Sequence, residues 1–148
     1  MTIEQICRKK KQYLDLLLLA DEQESMVDRY LERGEMYALY DPEVRAVCVV
    51  TDEGEGIFEI KNIVTSPAFQ GRGYGKALID FVLAHYRGKG RLMIVGTGDS
   101  PLTLPFYRRC GFIESHRVKN FFTDHYDHPI FEAGKQLVDM VYLSQALG

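Results

Sequence analysis

Two stretches of this chain carry residue types that could do chemistry. Gln70-Gly71-Arg72-Gly73-Tyr74-Gly75-Lys76 sets three glycines at alternate positions ahead of an apolar, helix-like run. A helix amino terminus leaves its first N–H groups unpaired and carries partial positive charge, so it draws anions. Glycines let the backbone approach a bulky phosphate, and Arg72 and Lys76 add positive charge. On its own the loop equally fits a ligand-free turn from strand to helix. Two common phosphate loops fail on named positions. The dinucleotide fingerprint needs glycine where the chain has Lys76 or Leu78, and the P-loop needs a glycine and a hydroxyl residue where it has Gln70 and Ala77. The second stretch, His125-Tyr126-Asp127-His128, has a His-x-x-His spacing that can chelate metal on a helix. Pro129 follows and aspartates intervene, so a loop is expected there, without metal.

The elements around these residues follow from apolar periodicity. Leu14, Leu17 and Leu18, then Met26, Tyr30 and Leu31, predict two short helices between Lys11 and Arg33, divided near Asp21-Glu22 and stopped by Gly34. Residues 36–40, 45–51 and 57–65 read as strands, with turns at Asp41-Pro42-Glu43 and 52–56. After the glycine loop, Ala77, Leu78, Phe81, Val82 and His85 share a helical face, where His85 is expected to pack rather than react. Leu92-Met93-Ile94-Val95 is apolar throughout and suits a central strand. A helix over 102–109, capped by Asp99 or Ser100 with Pro101 in its first turn, leads to Gly111 and a strand from Phe112. A polar, aromatic segment from Phe121 to Ala133 precedes a last strand at 138–143. This order predicts a mixed α/β sheet in which the strands flanking the glycine-loop helix are parallel neighbours.

Composition narrows the function. The 148 residues suit one domain, and a 46% hydrophobic fraction supplies a core. A net charge of −3 argues against a generic nucleic-acid binder. The run Arg8-Lys9-Lys10-Lys11 is expected to be a solvated surface. Cys7, Cys48 and Cys110 form neither a disulfide framework nor a zinc signature. With no signal-peptide pattern and no long apolar run, the cytoplasm is the expected compartment and no membrane partner is expected.

Gln70-x-x-Gly73-x-Gly75, approached through Pro67, resembles the acetyl-CoA loop of the GCN5-related N-acetyltransferases (GNAT), and in particular an uncharacterised bacterial subgroup. Phe106-Tyr107-Arg108-Arg109-Cys110-Gly111-Phe112, one strand later, looks like the family's second motif. The resemblance implies a single N-acetyltransferase domain over 1–148. It would be a mostly antiparallel sheet with a central parallel pair, splayed after Thr65 and Val95 at the acetyl-CoA site and flanked by helices. It implies acetyl-CoA as cosubstrate, with its pyrophosphate on Gln70, Gly71, Arg72, Gly73, Tyr74, Gly75 and Lys76. Its pantetheine arm would lie along Ile63, Val64 and Thr65, and Ser100 stands where the family often has asparagine.

Acetyl transfer to an amine requires a base, because a free alkyl amine is mostly protonated at pH 7. The resemblance puts Glu59 in the base role, about 10 Å along the strand from the expected acetyl group and so acting through water. It makes Tyr107 the acid for the departing thiolate and a contact of the cofactor, with a backbone N–H of 62–64 stabilising the oxyanion. Phe122, Tyr126, Phe131 and Glu132, with Tyr37 or Tyr40 opposite, are candidate walls for a small-molecule or peptide amine. A homodimer is the assembly common in the family. The alternative function is a non-catalytic acyl-CoA-binding regulatory module.

Overall fold

The computed structural model describes residues 1–148. Seven strands form one sheet: β1 (Thr2–Ile6), β2 (Glu35–Tyr40), β3 (Val44–Gly54), β4 (Ile57–Thr65), β5 (Leu92–Gly98), β6 (Ile113–Val118) and β9 (Met140–Ala146). They lie in the order β1-β2-β3-β4-β5-β9-β6. Only β4 and β5 are parallel, because the chain between them crosses over through α3 (Tyr74–Tyr86). Alternation along the strands feeds two cores. Tyr37, Leu39, Cys48 and Val50 pack under α3 and α4 (Leu104–Arg109), while Met36, Ala38, Val47 and Val49 pack under α1 (Leu14–Ala20) and α2 (Glu24–Val27). Both faces are covered, which is why residues 46–50 of β3 are an unbroken apolar run.

One irregularity shapes the centre. Val49 pairs with Asn62 but Val50 pairs with Ile60, so Lys61 is an extra residue, a β-bulge in β4. A bulge bends its strand and increases its twist. The parallel ladder stops at that point, running from Ile57–Leu92 to Ile60–Val95 and no further. The splay therefore opens after Ile60, five residues earlier on β4 than expected, while Val95 marks it correctly on β5. The edge of residues 61–65 that faces away from β3 has no strand partner.

Several expected elements differ. The second helix ends at Val27, and turns carry the chain to Gly34. Lys10 closes the end of these turns, its Nζ donating to the carbonyls of Leu31 (3.0 Å), Glu32 (3.2 Å) and Gly34 (2.7 Å). Lys10 is thus a buried clamp rather than part of a solvated basic surface. Gly34 serves close approach, since an added Cβ would lie 2.7 Å from Val49 Cγ1. The buried stripe of α3 is Leu78, Ile79, Val82, Leu83 and Tyr86, rotated from the expected face, while His85 packs among Tyr37, Phe81 and Tyr86. Helix α4 begins after Thr103, with Pro105 in its first turn, so neither Asp99 nor Ser100 is its cap. The expected loop after Phe121 contains α5 (Phe121–His125) and a small hairpin, β7 (Phe131–Glu132) and β8 (Lys135–Gln136). Strand β1 was not anticipated from the sequence.

Candidate active site

The glycine loop is built for a helix amino terminus. Gly71 (φ 80°) and Gly73 (φ 86°) both take the left-handed conformation that glycine adopts without strain, and open space surrounds each. The first hydrogen bond of α3 runs from Ala77 N to Gly73 O (3.0 Å), so the N–H groups of Tyr74, Gly75 and Lys76 precede the helical ladder. Gly75 lets α3 approach α4; an added Cβ would lie 3.3 Å from Phe106 Cζ. Gln70 Nε2 reaches back to Thr65 O (3.4 Å), joining the loop to the end of β4. Two guanidiniums share the Phe69 ring, Arg45 at 3.6 Å from its centroid and Arg72 at 5.0 Å. Lys76 is paired with Asp80 (2.9 Å), and the Tyr74 hydroxyl donates to Asp41 (2.6 Å). Arg72 is therefore the loop cation without an acidic partner.

The unpaired edge of β4 leads from this loop to the second half of the site. Ile63 packs toward α3, Val64 toward α1, and their backbone lines the opening. Ser100 is buried, and its Oγ accepts from Leu102 N (3.1 Å), so it shapes the turn after β5. Tyr107 lies in the core beneath α4, and burial holds its phenol well above the ordinary tyrosine value. The phenol is therefore in its protonated form at neutral pH, and its burial makes it a weaker proton donor than a free tyrosine.

On the sheet face opposite α3, a cavity of about 310 Å³ opens beside the splay. Glu59 and Lys61 form part of its floor, with Glu59 Oε1 3.1 Å from Lys61 Nζ. Burial raises the Glu59 carboxyl above the usual range, and the Lys61 charge pulls it back part of the way. That is the direction a general base needs near neutral pH. One wall comes from Asp21 and the turns after α2, the other from Phe121 and Tyr126 around α5. A hydrogen-bond chain joins the walls. Tyr126 OH donates to Asp21 Oδ1 (2.5 Å), Tyr30 OH donates to Asp21 Oδ2 (2.9 Å), and Asn62 Nδ2 donates to Tyr30 OH (3.1 Å). Burial raises the Asp21 carboxyl, with both phenols opposing the shift.

Of the residues expected to line an acceptor site, only Tyr126 does so. Tyr37 is buried against Tyr86, Tyr40 bonds Tyr13, Phe122 lines a separate outer cavity, and Phe131 is on the exposed hairpin with Glu132. Asp21, Arg29, Tyr30, Arg33 and Tyr142 line the cavity, although nothing in the sequence assigns them an acceptor role. The pair Lys61-Asn62, two polar residues in succession inside an apolar strand, was the available signal of a bulge.

This arrangement has relatives. The profile of the family described as "Acetyltransferase (GNAT) domain" matches residues 32–114, more than half of the chain. An uncharacterised N-acetyltransferase of Bacillus subtilis, YvbK, is 40% identical over 132 residues, covering 87% of this chain and 85% of that protein. A GNAT family acetyltransferase from Elizabethkingia anophelis, crystallised with acetyl-CoA bound, superposes with a TM-score of 0.92 at 34% identity, covering 98% of this chain and 97% of that one. A Bacillus subtilis acetyltransferase in complex with CoA gives 0.89 at 36% identity, covering 97% of each chain. The chain belongs to the GNAT acetyltransferase family.

Proposed function

We propose that this protein transfers the acetyl group of acetyl-CoA directly to a primary amine held in the 310 Å³ cavity. The observation that carries the reading is the junction of three features at one opening. The parallel ladder ends at Ile60–Val95, the glycine loop closes one end, and the cavity with Glu59 adjoins the other. In this reading the pyrophosphate sits on residues 70–76 and the pantetheine arm adds to the free edge of 63–65 as a strand would. The amine arrives as an ammonium and loses a proton through water to Glu59. The neutral nitrogen attacks the thioester carbonyl, a backbone N–H of 62–64 stabilises the oxyanion, the C–S bond breaks, Tyr107 gives the thiolate its proton, and the second proton shed by the nitrogen as the amide forms returns to the tyrosinate through water. Calorimetric titration with acetyl-CoA, followed by thiol release with an amine panel, tests this. No binding at millimolar acetyl-CoA would overturn it.

A homodimer extends the proposal. Strand β6 is one of the two edges of the sheet, and all six of its residues are exposed. Antiparallel pairing with a second copy would set Ile113 against Val118, Glu114 against Arg117 and Ser115 against His116, a self-complementary match. Light scattering of the wild type and of Ile113→Lys tests it, and a monomeric wild type would end it.

A further inference from the structure

We infer that the acceptor is a zwitterion, a small amine that also carries a carboxylate, with Asp21 receiving the amine end and Arg29 the carboxylate. This rests on the acetyltransferase reading of the cavity above.

The charges that line the cavity can be matched within the protein until two are left. Lys61 pairs with Glu59 at 3.1 Å, and Arg33 pairs with Glu53 at 3.0 Å. Arg29 has no carboxylate within ion-pair distance; its Nη1 contacts Met26 Sδ at 3.3 Å. Asp21 has no cation within that distance either and is held only by the hydroxyls of Tyr30 and Tyr126. Asp21 and Arg29 therefore remain without a direct ion-pair contact, on the same wall and bordering the same space; Arg29 is exposed, and its charge reaches Asp21 only through space. A ligand with one positive and one negative end completes both. A simple alkyl amine leaves Arg29 unmatched, and a dianionic phosphate exceeds what one guanidinium balances. The planar guanidinium also suits a carboxylate by parallel N–H···O contacts.

The rest of the cavity fixes the remainder of the molecule. Met26, Tyr30, Phe121, Tyr126, Met140 and Tyr142 give it apolar and aromatic surface. Its volume is at the small end for ligand sites. A free amino acid with an apolar side chain meets all of these constraints. The hydrogen-bond chain also places the amine end usefully. Asp21 is one phenol removed from Asn62, on the free-edged stretch of β4 where the acetyl group is expected.

The test uses the full chain and matched pairs of amines that differ only by the carboxylate, such as phenylalanine with phenethylamine and leucine with isoamylamine. Thiol release is followed over a concentration series. The expected result is a kcat/KM at least about tenfold higher for the amino acid of each pair, since a charge-assisted hydrogen bond is at stake. Arg29→Gln should raise KM for the amino acids about tenfold and leave the decarboxylated amines unmoved, and Arg29→Lys should restore part of the difference. Equal or better turnover of the decarboxylated amines overturns the inference, as does an Arg29→Gln effect equal on both members of a pair. If acetyl-CoA binds and no amino acid is acetylated, the zwitterion is wrong and the acetyltransferase reading stands. If acetyl-CoA does not bind, that reading itself falls.

Discussion

The two ends of the β4 opening are built in different ways. The donor end is local, since one run of residues from Thr65 to Lys76 supplies the strand terminus, the turn and the helix amino terminus. The acceptor end is assembled from Asp21, the turns after α2, β4, β5, α5 and β9, separated by up to 121 positions between Asp21 and Tyr142. In the proposed reading the donor end binds through backbone N–H groups, which any sequence with the right glycines can present. The proposed acceptor end offers side chains whose charges are already largely matched. A backbone site fixes a common ligand, and a side-chain site can change its ligand one residue at a time.

Substitutions at each end should separate these contributions. The largest effect belongs to Glu59→Gln, which should lower turnover by about 10² to 10⁴-fold with acetyl-CoA affinity retained. Its wild-type counterpart should show an acid limb, with turnover rising as Glu59 loses its proton, centred above the ordinary glutamate value because burial raises that carboxyl. A limb that persists in Glu59→Gln would assign the base elsewhere. Tyr107→Phe should cost about 10²-fold in turnover, the low end for proton transfer because a thiolate departs readily, with acetyl-CoA affinity near wild type. Gly73→Glu should weaken acetyl-CoA binding about 10- to 100-fold in calorimetry, through the left-handed backbone and a negative charge set against the anion. An unchanged affinity would remove the loop from the donor site. Tyr126→Phe should be the mildest, raising the acceptor KM about tenfold while the acetyl-CoA KM holds, because Asp21 loses one of its two phenols. If both KM values move together, the two ends are not independent.

The same contrast explains what could be read from the sequence. Strand β4 was legible to the residue, because β-branched and aromatic residues fill it and turns bound it. The glycine loop and the segment around Tyr107 were legible as a pair because each is contiguous. The cavity was not, since no local pattern tells that Asp21 will meet Tyr126 across 105 positions. Lys10 was misread for the same reason. A lysine within a basic run looks solvated until the carbonyls of residues 31, 32 and 34 close over it.

Lys61 has one further consequence. Without it, β4 would keep strict two-residue alternation. Glu59 and Asn62 would stay on the α1 side, with Ile60 and Ile63 toward α3, as they are now. The ladder with β5 could then continue past Ile60–Val95, carrying Asn62 opposite Gly96 and Ile63 opposite Thr97. The chain one residue shorter would be the better sheet, with its slot sealed. Sheet continuity and access to the proposed thioester site thus pull against each other at a single position.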